Sequence, residues 1–395
     1  GLGLMALLLV LQEPERLFDV SFLMSFGAVL GICILTPVFS GGCWERDADA
    51  ESEVKGITTW LRTVADILGD SAYERNKYRE GWRKVAYEGI RRMMSAVKGG
   101  FAASVGVILF TLPVQLWFFY EIPVYSVLLN LLVLPFMSAV VAGGILSLIP
   151  GLGIVGTVDC LILWWYEWIC ERFGELPGAV WCVGQPEIWQ IACYYAGIFL
   201  LVFGRRYVEA WKRRGTYGEE NVPGVIIHSN RFQHQIATVM ILGLLIGLLT
   251  GNFDRGSRVT FLDVGQGDGI VVETGQGAYL FDCGSTSRKN IGEYVLKPYL
   301  KSRGICSLRG VFVSHPDEDH MNGVLELLEN GEEWGITAEQ LFLPAIRESE
   351  RRETFEQLLA AAEDAGIPVS YIKCGDEIRD SQLRLLCLHP EENTT

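Results

Sequence analysis

The 395 residues contain no GxxxxGK[ST] loop, so nothing in the chain offers the phosphate cradle that an intrinsic ATP motor needs. CxxC and CxxxC pairs are also missing. Of the ten cysteines, Cys33, Cys160, Cys170 and Cys193 lie in apolar runs, while Cys283, Cys306, Cys374 and Cys387 are spread through the C-terminal part. They read as small apolar packing residues rather than a disulfide framework or a zinc ribbon. Charge is scarce: charged residues make up 20% of the chain and hydrophobic ones 50%, and the mean hydropathy of +0.26 is too apolar for an ordinary soluble protein. The opening GLGLMALLLV has no basic n-region and no small-residue cleavage site, so the chain does not start as a signal peptide does and reads as a fragment. Histidine is rarest of the titratable residues, with five in all, which makes any pair of them in one loop informative.

Six long apolar stretches are present: Leu17 to Ser40, Phe101 to Glu121, Val124 to Pro150, Leu152 to Cys170, Ile188 to Gly204 and Gln235 to Gly251. Several reach the roughly 20 residues that a helix needs to cross a bilayer. Basic residues concentrate at Arg83, Lys84, Arg91, Arg92 and Lys98, and again at Arg205, Arg206, Lys212, Arg213 and Arg214, so both loops are expected on the cytoplasmic side. Four spans between these clusters return the chain to that side, and a last span carries residue 252 onward out of the cytoplasm. The polar segment Gly41 to Gly99 is expected to lie on the cytoplasmic surface, with amphipathic helical pieces such as Thr58 to Leu68. Within the spans, Pro113, Asn130 and Pro135 interrupt apolar runs, and Asp159 is an intramembrane carboxylate. Broken helices with buried polar groups suit a water-lined passage, and packing through small residues suits them equally. Trp117 to Tyr120 and Trp164 to Trp168 form an aromatic belt at the outer interface.

The second feature is Ser314 to Gly323, SHPDEDHMNG, which follows the apolar run Val311 to Val313. His315, Asp317, Asp319 and His320 alternate along an extended turn. His315 and Asp317 can face one point while Asp319 and His320 reach a second beside it. Such a loop can feed two adjacent divalent ions, the arrangement used to hydrolyse phosphate or carbonyl centres. Asp317 adds an oxygen ligand to the first position, which leaves manganese and zinc in balance.

The pattern resembles the HxHxDH signature of the metallo-β-lactamase superfamily, with Asp317 in place of the second histidine. LDVGQGDG (Leu262 to Gly269) and LFDCGS (Leu280 to Ser285) precede it where that superfamily has its early turns. DVGQGD followed by HPDxDH is similar to the outer domain of the ComEC-type competence family. In the membrane part, LFDVSFLMSFGAVLGI (Leu17 to Ile32) and FTLPVQLWFFYEIPVYSVLLNLLVLPF (Phe110 to Phe136) are similar to that family's transmembrane segments, although Ser21 and Leu23 stand where it usually has Gly and Gln.

The resemblance implies a polytopic α-helical membrane domain over 1–251, channel-like and N-terminally incomplete, followed over 252–395 by an α/β metallo-β-lactamase-like (αββα) domain incomplete at its C-terminus. It implies two metal ions, Mn2+ or Zn2+, held by His315, Asp317, Asp319 and His320. Asp319 and His320 would be catalytic, with Asp263, Gln266, Asp268 and Asp282 nearby and a passage past Pro113, Asn130, Pro135 and Asp159. His389 resembles a structural His-Pro turn. The implied role is uptake of single-stranded DNA through the bacterial cytoplasmic membrane, with DNA, other uptake components and membrane lipid as partners and an outer domain that cleaves phosphodiester bonds. From Asn252 onward there are 14 basic and 25 acidic residues, a poor field for a polyanion, and this keeps two alternatives open. One is a membrane-anchored hydrolase of another ester or phosphoester. The other is a channel with a non-catalytic binding module.

Overall fold

The computed structural model describes residues 2–39, 76–149, 153–215, 227–252, 256–345, 353–380 and 382–390. Among the described residues seven α-helices come first: α1 (Leu2–Gln12), α2 (Val20–Phe39), α3 (Asn76–Phe119), α4 (Ser126–Ser147), α5 (Gly153–Gly174), α6 (Ile188–Gly215) and α7 (Ile227–Thr250). Each of the six apolar stretches thus falls on a helix. Among the described residues, Val20–Phe39, Val97–Phe119 and Gly153–Gly174 are long and apolar enough to cross a membrane, and α4 is a fourth if its two halves count as one span. The halves Ser126–Val133 and Phe136–Ser147 meet at 49°. The bend brackets Pro135, which has no backbone N–H to continue the helical ladder. Just before it, the Val133 carbonyl accepts a hydrogen bond from the Tyr166 hydroxyl at 3.0 Å.

The expected polar surface segment is only partly described, and Thr58 to Leu68 lies outside the described residues. Where it can be followed, from Asn76, it is no separate segment but the first half of α3, running without a break into the span. Gly99 and Gly100 do not interrupt it, because glycine in a helix interior costs only about 1 kcal/mol, far less than proline.

The described residues fall into two compact units. The first comprises 1–112, 124–179 and 199–219. In it α2 and α3 cross at glycine: a Cβ on Gly31 would lie 2.5 Å from the Gly106 carbonyl oxygen, so only the bare backbones can approach this closely.

The second unit comprises 113–123, 180–198 and 220–395. Tyr120, at φ 66°, ends α3. It leads into β1 (Glu121–Pro123), which pairs antiparallel with β2 (Val180–Cys182) as a two-stranded ribbon. The amide of Gln190, a residue only 2% exposed, donates to the carbonyls of Leu248 and Gly251 at 2.7 and 2.9 Å, satisfying acceptors that the end of α7 leaves without helical partners.

A mixed sheet follows, built from β3 (Arg258–Phe261), β4 (Gly269–Thr274), β5 (Gly277–Cys283), β6 (Ser307–Phe312), β7 (Thr337–Ala338), β8 (Leu341–Pro344) and β9 (Val369–Ile372). The order is β3-β4-β5-β6-β8-β9, with β7 pairing β6; β3 to β5 are antiparallel, and the later pairs are parallel. Helices α8 (Lys297–Ser302), α9 (Glu318–Trp334) and α10 (Glu353–Asp364) supply the crossovers that parallel strands require. Strand alternation divides the core. Val271, Leu280, Val311, Leu341 and Leu343 pack with Leu300, Val324, Leu327, Phe355 and Leu358 from the helices. Tyr279, Phe312 and Phe342 face the other way, under Ile378, Leu383 and Leu385 of the hairpin β10 (Glu377–Arg379) and β11 (Arg384–Leu386). The Phe281, Phe312 and Phe342 rings stack at 4.5 Å spacings across that face. This mixed sheet with its flanking helices is the architecture expected of a metallo-β-lactamase-like domain.

The cysteines need one correction. Cys182 and Cys306 form a disulfide across 124 residues of sequence, a pairing that spacing alone could not suggest because the two meet only in the folded chain. Cys283 is buried as a packing residue should be, whereas Cys33, Cys160, Cys170 and Cys193 lie on helix surfaces.

Candidate metal centre

The apolar residues Val311 and Val313 pull β6 into the core, and the chain emerges at Ser314. Asp317 is extended at φ −94°, ψ 151°, and the helix α9 starts immediately after it. His320 and Met321 both donate their N–H groups to the Asp317 carbonyl, at 2.9 and 3.2 Å. Asp319 and His320 therefore stand in the first helical turn, where the positive end of the helix favours acidic groups. The extended turn expected over this loop gives way to helix at Glu318, where acidic residues suit the N-terminus.

Ligand atoms of His315, Asp319 and His320 lie within 4.8 Å of one another. His320 Nε2 is 3.6 Å from Asp319 Oδ2, close to the ~3.4 Å edge of a tetrahedron with metal–ligand distances of about 2.1 Å. Two imidazoles and a carboxylate suit a divalent ion. Asp317 stands beside this group: its Oδ2 is 3.9 Å from His315 Nε2, and its side chain makes no capping hydrogen bond to α9.

The two imidazoles are oriented by one carboxylate. Asp282, at the end of β5, accepts from His320 Nδ1 at 3.0 Å, from Ser314 Oγ at 2.6 Å and from the Ser314 N–H at 2.7 Å. An ionised carboxylate only accepts, so the proton of His320 must be on Nδ1, which frees Nε2 as a ligand. Ser314 Oγ, having given its hydrogen to Asp282, can accept from His315 Nδ1 at 3.0 Å, and His315 Nε2 is freed in the same way. The geometry matches the outer partners that fix tautomers at metal sites.

The other residues expected near the site divide. Asp268 Oδ2 is 3.7 Å from His320 Nδ1, and the Asp268 N–H donates to the Asp319 carbonyl at 3.0 Å. Gln266 acts through its backbone, donating to Ser287 Oγ at 2.9 Å and accepting from the Thr286 N–H at 2.9 Å. Asp263 is 84% exposed and pairs with Arg288 at 3.3 Å rather than with either histidine. Close approach of the two early turns depends on glycine. A Cβ on Gly267 would lie 2.2 Å from the Gly284 carbonyl oxygen, and one on Gly284 2.5 Å from the Glu318 carbonyl oxygen. Sequence reasoning gave no role to Ser314 or to Asn322, whose side chain both accepts from the Ser285 N–H (3.0 Å) and donates to its carbonyl (2.7 Å). A polar residue after the DH pair was the available signal. His389 precedes Pro390 through a cis peptide.

Of the candidate passage residues, Asn130, Pro135 and Asp159 lie in the first unit and Pro113 in the second. Asp159 on α5 is 9% exposed and lies against Gly143 of α4, where a Cβ would fall 2.4 Å from its Oδ1. Its Oδ2 has no hydrogen-bond partner among the described residues. Asn130 lies on α4 and is half-buried, and Pro135 shares that helix at the bend. Pro113 is buried in α3, past the boundary between the units.

Two family models match the chain. Residues 262–368 match the metallo-beta-lactamase superfamily, and residues 1–207 match the family described as Competence protein. The chain is 24% identical over 299 residues to ComE operon protein 3 of Bacillus subtilis (strain 168), an alignment covering 71% of this chain and 35% of that protein. It is 25% identical over 253 residues to Recombination protein 2 of Haemophilus influenzae (strain ATCC 51907 / DSM 11121 / KW20 / Rd), covering 58% and 30% respectively. The chain thus spans about a third of the length of these curated relatives. With apolar helices matched over more than half its length and a metallo-beta-lactamase fold behind them, the chain is a membrane protein and belongs to the Competence protein family.

Proposed function

We propose that the chain takes part in moving single-stranded DNA across the bacterial cytoplasmic membrane during competence, and that its C-terminal domain lies outside the cytoplasm and hydrolyses phosphodiester bonds of DNA. The observation that carries this reading is the His315, Asp319 and His320 cluster within a metallo-beta-lactamase fold that follows a competence-type helical region. The two basic clusters and the Cys182–Cys306 bond both favour an outer position, since basic residues collect on the cytoplasmic side and disulfides persist in oxidising compartments.

His315 and His320 would hold a manganese or zinc ion through Nε2 and Asp319 through a carboxylate oxygen; Asp317, 3.9 Å from His315 Nε2, would serve a second ion instead of sharing the first with His315. Such an ion, when bound, supplies Lewis-acid polarisation of a phosphoryl oxygen. The protein's own contribution is orientation. Asp282 and Ser314 keep both imidazoles in one tautomer, and Asp319 is held by its backbone to Asp268. His315 and Asp319 remain partly open to solvent, which leaves room for an extended substrate.

The test is cleavage of labelled double-stranded DNA by the purified chain in detergent micelles with manganese or zinc. Metal-dependent cleavage is expected, falling at least ~100-fold in His315→Ala and in Asp319→Ala. Folded, metal-loaded protein that leaves DNA intact would remove the nuclease from this reading. A second reading is favoured by the excess of 25 acidic over 14 basic residues from Asn252 onward: a membrane-held hydrolase of a smaller phosphoester or ester.

A further inference from the structure

The ribbon of β1 and β2 is made from two connections that leave apolar helices, and the turn between α8 and β6 is fastened to it in four different ways. Cys182 and Cys306 are bonded. Lys301 Nζ lies 2.5 Å from Glu121 Oε1, with the two side chains only 12% and 23% exposed. The Gln185 N–H donates to the Ser302 carbonyl at 2.7 Å. Gly184 and Gly304, at φ 96° and 69°, meet back to back: a Cβ on Gly184 would lie 2.9 Å from the Gly304 nitrogen, and one on Gly304 2.6 Å from the Val183 carbonyl oxygen. A fortuitous crosslink would not call for left-handed glycines on both surfaces and a partly buried ion pair beside them. The ribbon is itself anchored, because the Val183 and Gly184 N–H groups both donate to the Tyr120 carbonyl at 3.0 and 3.1 Å. Cys306 immediately precedes β6, the strand that delivers the metal loop at its other end.

We infer that Cys182 and Cys306 are the target thiols of an oxidised CxxC-type dithiol–disulfide protein, and that their bond locks the sheet domain onto a ribbon dock prepared by the Lys301–Glu121 pair and the Gly184–Gly304 contact. The exchange balances. One chain thiolate attacks the partner's disulfide and forms a mixed disulfide, releasing one partner thiolate. The second chain thiolate then attacks the chain sulfur of that mixed bond and expels the other partner thiolate. Two electrons pass to the partner, which leaves as a dithiol. The inference is independent of what the metal centre hydrolyses.

The experiment uses the full chain with a site-specific protease sequence inserted between Asn252 and Gly256, alkylated on harvest. After cleavage, the two pieces are expected to stay joined on a denaturing gel without reductant and to separate with it. Cys182→Ser and Cys306→Ser are expected to separate under both conditions. Lys301→Glu and Gly184→Val are each expected to lower the joined fraction several-fold, while Cys374→Ser leaves it unchanged. Reduced chain in detergent, mixed with an oxidised CxxC protein, is expected to regain the bond as one partner disulfide is consumed per chain. Wild-type pieces that separate without reductant overturn the bond. Undiminished joining in both Lys301→Glu and Gly184→Val overturns the dock, and no regain with the oxidised CxxC protein overturns the exchange.

Discussion

Asp282 shows how much of the candidate metal centre depends on a residue outside the His315, Asp319 and His320 cluster. It sits at φ 52°, a left-handed conformation that costs a non-glycine residue roughly 1–2 kcal/mol. The cost is offset by three hydrogen bonds that order Ser314 and His320 together. Asp282→Asn replaces one acceptor oxygen with a donor and so disturbs the tautomers of both imidazoles. The expected loss is about 10–100-fold in affinity for zinc or manganese with the fold retained. Titration calorimetry checks it, and unchanged affinity would reject the orienting role. The sequence displayed the residue types His315, Asp317, Asp319 and His320 directly. It placed Asp282 nearby only through resemblance, because the contact from Asp282 to His320 spans 38 residues and exists only once β5 and β6 pair.

Among the elements, β5 and α9 pack through Cys283 and Gly323: a Cβ on Gly323 would lie 2.8 Å from Cys283 Sγ. Burial, aided by the nearby carboxylates of Glu326 and Asp282, pushes the Cys283 thiol up to about 12 from the ordinary value of 9.0. The folded state therefore holds this proton more tightly than the unfolded one. The resulting stabilisation is complete below about pH 9 and is lost as the pH rises towards 12. Alkylation of Cys283, followed by mass spectrometry, is expected to be negligible in the folded chain from pH 7 to 9 and complete after denaturation. Ready alkylation of folded protein in that range would mean the β5–α9 seam is open. In this domain the apolar run Val311 to Val313, which leads β6 into the SHPDEDHMNG loop, was legible in the sequence. The short β10 was not, since three residues carry too little pattern to stand out.

For the whole molecule the decisive property is charge. With 25 acidic and 14 basic residues, the stretch from Asn252 onward is a poor field for a polyanion. If this part acts on DNA, attraction local to the candidate metal centre is expected to dominate. DNA association should then vanish on chelation and show a shallow salt dependence, with a log–log slope of about −2, equivalent to two or three phosphate contacts. Fluorescence anisotropy of a labelled duplex across a salt series, with and without chelator, checks this. A steep slope that survives chelation would place the binding surface elsewhere.

The sequence by itself determined that long apolar stretches come first and that a later loop collects two histidines and two aspartates, while the sheet domain was implied by resemblance. Hydropathy and residue type are local properties, readable from neighbours in the chain. Only the tertiary structure decided that Asp282 orients both histidines, that Asp263 turns to Arg288, that Gly31 and Gly106 let two helices touch, and that Cys182 bonds Cys306. Each of those depends on groups far apart in sequence, whose proximity is a consequence of packing and has no local signature.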